Sequence, residues 1–375
     1  MRIVRRRKVT RLDMGRFCQL TPLLVTFTCG SIIHVNPFKF IEIARQLNAG
    51  SVKLDHLGPR WHNSCIRLSC WKASFLDNVI EALARSPPVT TGIFSHLLFH
   101  CPSAQYSSNT APKSSRVFKV LRSDICCFEE YLTRLPQSNI SLVAVTHGHD
   151  NYGSPFNADA LTMECFVKIL QDNRIKSYFV SQHRSDFQHP KIKFLPIGLG
   201  TATYKLKLNW CDIMAIVSKA ARKYRQQCSQ NICSINTIEA NFNSAGVKSG
   251  EARSTAFAML RRALDIPITN VYKKFNSRTI LERYAASAFV FSPAGTHYDC
   301  WRHHEALLMG AFALVDDHYS LHSSLPGLPV IYVKNWTQLT REELLSDMDS
   351  VISTQLPSAL PLTRSYWEKQ VESWL

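Results

Sequence analysis

The 375-residue chain has little glycine, only 14 residues, and no internal repeat, so a collagenous build is excluded. It has no Cys-X-X-Cys among its 12 cysteines, which argues against a zinc ribbon or a thioredoxin-type centre. Acidic residues are scarce, 28 against 44 Lys and Arg, for a net charge of +16. Seven of the basic residues fall in the first sixteen positions, against Asp13 alone; beyond them there is no long Lys/Arg run. Without an aromatic RNP stretch or paired zinc-finger spacing, the charge does not indicate a nucleic-acid partner but suits phosphate-bearing ligands. What the chain does have is 45% hydrophobic and 10% aromatic residues, enough at this length for two domains with cores of their own.

A run of 20 apolar residues is also missing. Leu20 to Val35 comes nearest, uncharged but interrupted by Thr, Pro22 and Gly30. Positive charge ahead of such a run is the pattern of a signal anchor with a cytoplasmic N-terminus; a buried strand plus loop is the other reading. The sequons at Asn139 and Asn335 are compatible with a luminal body. In that compartment Cys65/Cys70 and Cys228/Cys233 could close short disulfide loops, or they could be buried thiols.

The Ser/Pro/Asn-rich loop at 102–115 separates an indistinct first segment from a patterned remainder. The apolar run 140–146 predicts a buried strand delivering the polar cluster His147 to Asn151; helix follows over 161–170, then strands at 178–181 and 192–195. The alternation resumes with helices at 212–227, 252–264, 277–286 and 299–310, and strands at 232–238, 288–291, 312–315 and 330–333. Thr340 and Glu343 form a capping-box pattern with Leu339 and Leu344 spaced as a staple, so a helix starts at Arg341. Such alternation implies parallel α/β sheets, with domains over 45–204 and 205–375 behind a basic N-terminus at 1–44.

The segment from Phe289 to Asp317 carries the strongest signal. A buried strand ends in Ser292-Pro293-Ala294-Gly295 and a short loop leads into a helix, the kind of junction where parallel sheets bind ligands and helix N-termini favour anions. Arg302 and Glu305, three apart, share a helix face: a guanidinium can grip a phosphate and a carboxylate can accept from ribose hydroxyls. The plainer alternative makes Asp299 an N-cap and Arg302/Glu305 a surface pair.

These residues resemble the nucleotide-sugar-binding region of exostosin-like glycosyltransferases. Ser292, Pro293, Gly295, Asp299, Arg302, Glu305, Ala306, Leu307 and Gly310 match the family's pattern. Residues 325–344 are similar to its Leu-Pro-Val strand and following helix start, 178–199 resembles its stretch ending in Leu-Pro-Ile-Gly, and Arg253 stands where an Arg often opens a helix. Ala294 and His304 depart from it, replacing the usual Arg and aromatic residue. The resemblance implies two Rossmann-like domains facing a cleft (GT-B type), with the acceptor on the first. It also implies transfer from a nucleotide-diphosphate sugar, UDP-linked, to a glycan or glycoprotein hydroxyl, with no permanently bound cofactor and no metal, in a Golgi or other secretory membrane. The donor-binding set would be Arg253, Ser292, Gly295, Asp299, Arg302 and Glu305. In an inverting mechanism Asp150 is the first choice for the base and His147 the second; an Asx turn is the plainer role for Asp150.

Two rival classes follow from the same residues. His147-Gly148-His149-Asp150 looks like a metallohydrolase motif but lacks the residue needed between the second His and Asp, and His303-His304-Glu305 fails the HExxH spacing. A non-catalytic sugar- or polyanion-binding relative would keep the scaffold and lose transfer.

Overall fold

The computed structural model describes residues 58–90, 99, 116–135, 141–146, 159–181, 187–199, 208–240, 255–260, 275–295, 297–354 and 356–375. They form an α/β protein with two separate four-stranded parallel sheets, each with its strands in chain order.

The first sheet consists of β1 (Val117–Lys119), β2 (Leu142–Thr146), β3 (Ile175–Val180) and β4 (Ile192–Phe194). All five side chains of β2 are buried because both faces are covered, as expected of a parallel strand. The twofold alternation of strand side chains divides them. Leu142 and Ala144 face a cluster with Phe128 of helix α2 (Ile125–Arg134) and Phe166 of helix α3 (Ala160–Gln171). Val143 and Val145 face Trp367 and Val371 of the last helix. Asp159 caps α3 through its carboxylate, which accepts the Thr162 N–H at 2.8 Å.

The second sheet is β5 (Asn236–Glu239), β6 (Ser287–Phe291), β7 (Phe312–Asp316) and β8 (Val330–Val333). Helix α4 (Trp210–Ser229) opens on an Asn209/Asp212 capping box, and helix α5 (Ser277–Ala285) is capped by Asn276. Helix α6 (Trp301–Leu308) joins β6 to β7, and α7 (Tyr319–Ser324) follows β7. Helix α8 (Arg341–Ser353) starts on the Thr340/Glu343 box, with both Leu339 and Leu344 buried.

Two elements cross between the halves of the chain. The 28-residue helix α1 (Gly58–Arg85) comes from the N-terminal side yet packs on α4 and joins the core of the second sheet through Leu68, Trp71, Phe75 and Leu76. The last helix, α9 (Arg364–Glu372), returns from the C-terminal side to cover the first sheet. Disulfides fix α1 in place, but not as the short loops that the cysteine spacing suggested: Cys65 pairs with Cys233 and Cys70 with Cys228. The pairing follows from packing, since α1 lies along α4: Cys70 meets Cys228 in the last turn of α4, and Cys65 meets Cys233 in the segment that follows it. Cys126 is bridged to Cys165, and Cys127 is also disulfide-bonded. Lys72 of α1 is fully buried, and its ammonium donates to the carbonyls of Ala285 at 3.0 Å and Ser287 at 2.7 Å, where the C-terminal end of α5 favours positive charge.

The connection after β4 passes through Leu195, in the first-sheet cluster, and Leu199, in the second-sheet core. Gly198 lies between them at φ 72°, and a Cβ there would stand 2.4 Å from the Val89 carbonyl oxygen, so only glycine fits this close approach. No helix among the described residues is long and apolar enough to cross a membrane; the 20–35 run and Asn139 lie outside them.

Candidate functional site

The junction after β6 is held by its own polar groups. The Ala294 N–H donates to Asp316 Oδ2, and Asp316 Oδ1 accepts the Trp336 indole N–H at 2.8 Å, so one carboxylate at the end of β7 fixes the loop and the Trp336 ring. The Gly295 N–H donates to the His297 carbonyl at 2.9 Å. Ser292 is fully buried, with its hydroxyl 2.7 Å from His303 Nδ1; His303 Nε2 lies 2.8 Å from the Tyr298 carbonyl, to which it donates.

Helix α6 opens two residues later than Asp299, with Cys300 rather than Asp299 at the N-cap. The Asp299 carboxylate is buried: one oxygen is 2.9 Å from His304 Nε2 and the other accepts the Ile197 N–H at 2.7 Å. Burial opposes its charge, but the His304 and His303 imidazoles and the Ile197 N–H outweigh that and hold it below the usual carboxylate range. Asp299 thus ties α6 to the connection between the two sheets.

Arg302 and Glu305 are both half-buried on α6. The guanidinium reaches back towards Cys300, with Nη1 3.8 Å from the sulfur, and it also bonds the buried Tyr284 hydroxyl. Burial works against the Arg302 charge; Cys300, Tyr284 and Glu305 outweigh it. The sulfur of Cys300 lies 3.5 Å from both His303 Nδ1 and Ser292 Oγ. Burial disfavours a thiolate, yet the charges of His303 and Arg302 and the hydrogen bonds from His303 and Ser292 bring the thiol down to about 5.

One nearby group lies outside the sequence-derived set: Glu239, buried at the end of β5, receives a bidentate pair from Arg283, at 3.0 and 2.7 Å. Burial raises its pKa while Arg283 opposes the rise. The Cys300-X-X-His303 spacing, which sets both side chains on one turn, was the available signal for the thiol cluster.

The structure therefore brings Ser292, Gly295, Asp299, Arg302 and Glu305 to one junction, and of these Arg302 and Glu305 are the half-exposed ones. Arg253, His147 and Asp150 lie outside the described residues. Among the described residues no cluster of His, Cys, Asp and Glu is arranged to hold a metal ion.

No protein-family model and no curated protein sequence matches the chain. Among solved structures, the apo structure of OtsA is similar over 68% of this chain and 72% of its own, at 10% identity and a TM-score of 0.40. The GtfA/B complex is similar over 69% of this chain at 12% identity and a TM-score of 0.30; the match spans 57% of that chain. Overlaps this shallow add nothing to the two-sheet architecture read from the strands themselves.

Proposed function

We propose that the protein is an exostosin-like glycosyltransferase of the GT-B type, moving a sugar from a UDP-linked donor to a glycan or glycoprotein hydroxyl with inversion. The observation that carries this reading is the pair Arg302 and Glu305, half-exposed on the first turns of α6 at the carboxyl end of parallel strand β6. Arg302 holds the diphosphate, assisted by the positive end of the helix, and Glu305 accepts from the ribose hydroxyls. Ser292, Gly295 and Asp299, whose bonds run within the protein, position that turn. Arg253 adds a further cation for the phosphates. Asp150, or His147 after it, deprotonates the acceptor, and the leaving diphosphate is stabilised by Arg302 and the helix N–H groups. The disulfides support a body in an oxidising compartment, the Golgi or another part of the secretory pathway, anchored through residues 20–35.

One observation favours a second reading, a binding protein that has lost transfer. Ala294 offers no cation, and its N–H is already taken by Asp316. UDP calorimetry and hydrolysis of UDP-sugars separate the two, because binding without turnover is what the second requires. Under the first, Arg302→Ala should lose about 1.5 to 3 kcal/mol of UDP affinity, the scale of a charge-assisted hydrogen bond. Unchanged UDP affinity in both Arg302→Ala and Glu305→Gln would remove the site from either reading.

A further inference from the structure

We propose that the cavity between the edge strand β4 and helix α7 is a sugar subsite, which holds one uncharged pyranose ring of the acceptor glycan against aromatic side chains. Its service to the acceptor rests on the reading above; its fit to a pyranose rests on the cavity alone.

The cavity measures about 350 Å³, within the range of small-molecule sites. Its walls include Phe187 from the segment before β4, Phe194 of β4 itself and Tyr319 on the first turn of α7. All three are half-buried, so their rings keep apolar surface in contact with water. The Phe194 and Tyr319 rings meet at 75° with centroids 5.5 Å apart, which makes a corner of two aromatic walls. An aromatic face is negative, and the axial C–H groups of a pyranose form a flat apolar patch with partial positive charge, so the two stack. The sugar's hydroxyls need polar groups at the rim, and Gln188 and His189 stand there. His189 Nδ1 accepts the Lys191 N–H at 3.2 Å, so the neutral ring carries its proton on Nε2 and donates from it. Burial first, and Lys191 second, lower the His189 pKa and favour that neutral form. Among the described residues that line the cavity none is Lys, Arg, Asp or Glu, so a charged sugar would find no counter-ion. The lysines next in sequence are engaged: Lys191 Nζ donates to the Asp172 carbonyl at 2.7 Å, and Lys193 Nζ donates to the Pro190 carbonyl at 3.1 Å and lies over the Trp374 ring.

Position links the cavity to the transfer. Sheet register sets Phe194 beside Val180, and Val180 beside Thr146, at the carboxyl edge of the first sheet. Two strand spacings place Phe194 about 10 Å from Thr146, the residue directly before His147 in sequence. On the other side, Tyr319 adjoins His318, whose ring stacks on Tyr298 with centroids 3.7 Å apart. Tyr298 directly precedes Asp299 in the loop that opens α6. A pyranose held here therefore lies between the strand end that leads to the proposed base and the loop that leads to Arg302.

The test is saturation-transfer NMR on the full chain without nucleotide, with the methyl pyranosides of glucose, galactose, mannose, xylose and N-acetylglucosamine as probes. At least one should bind, with transfer strongest to the ring protons of one face. Its dissociation constant should rise about tenfold in Phe194→Leu and in Tyr319→Leu, the scale of an aromatic contact. The two residues sit on different elements, so if one variant does not fold the other decides. Gln188→Trp, at an exposed position, should fill the mouth of the cavity and abolish binding. No binding by any of the probes, or binding that all three variants leave unchanged, overturns the inference. UDP affinity, measured by calorimetry, should be the same in Tyr319→Leu as in the wild type; a fall as large as that for the sugar would give the cavity to the nucleoside and overturn the inference as well. In the wild type, sugar binding without UDP binding supports the pyranose site while removing the transferase reading, whereas UDP binding without sugar binding does the reverse.

Discussion

The two sheets share one plan, four parallel strands in chain order, but they are supported differently. The first is sandwiched between two modest clusters, one with α2 and α3 and one with α9. The second belongs to one continuous core that also takes in α1, α4, α5 and α8, is stitched by two disulfides and contains a buried lysine. The junction proposed to bind the nucleotide lies on the heavily supported side, where loop geometry is fixed by packing and internal hydrogen bonds. A preorganised binding turn requires such backing, because a donor pair misplaced by a fraction of an ångström loses its ligand hydrogen bonds.

The disulfides offer the hardest way to break this comparison. Cys65–Cys233 and Cys70–Cys228 close nested loops, with sequence separations of 168 and 158, while Cys126–Cys165 closes one of 39. On chain-entropy grounds, removing both nested bridges should cost more than about 5 kcal/mol. Removing either alone should cost only about 3 kcal/mol, because the survivor still closes the long loop and about ten residues of slack are released. Cys126→Ala/Cys165→Ala should cost about 4 kcal/mol, more than a single loss on the better-supported side. Urea unfolding without reductant measures all three; a single nested loss as costly as the double one would show that the two bridges act as one clamp.

The join between the two regions comes next. Asp299→Ala takes away the acceptor for both Ile197 N–H and His304 and leaves the Ile197 N–H buried without it. A loss of about 3 kcal/mol in unfolding free energy is expected, the scale of breaking a buried polar pair from one side. Full stability in this variant would mean that the connection after β4 is held by Gly198 and its neighbours alone.

Much of the strand and helix order was legible because it rests on local rules. The capping box at Thr340, the apolar runs of β2, β6 and β7 and the helix over 277–285 follow from neighbouring residues. Helix α1 was not legible. Its buried stripe includes Ser64, Ser69 and Lys72, whose side chains bond Asp349, Gln227 and the α5 terminus, so the apolar period is blurred by polar residues with partners far along the chain. The cysteine pairing was hidden for the same reason. At the junction, sequence reading located the turn and the Arg302/Glu305 face; it could not tell that Asp299 points inward, since this depends on Ile197 about a hundred residues away.

The smallest effect concerns Lys72 and distinguishes a structural cation from a functional one. Burial first, and Lys223 second, lower its pKa well below the ordinary lysine range. In the window between that lowered value and the unfolded value of about 10.4, the unfolded chain binds more protons than the folded one, so this group's contribution to stability rises with pH. Below the window the penalty of holding a buried charge is constant. Lys72→Met removes the titration while keeping the volume of the chain, so the wild-type advantage over the variant should grow with pH by up to about 1.4 kcal/mol per unit across the window. Paired urea titrations at pH 7, 8 and 9 measure that difference directly. UDP affinity should be the same in both proteins at every pH, because Lys72 points its ammonium at the Ala285 and Ser287 carbonyls rather than at the turn that carries Arg302. A pH-independent difference would mean that Lys72 keeps its proton throughout, held by those two carbonyls and the Tyr224 ring 4.6 Å away strongly enough to cancel its burial.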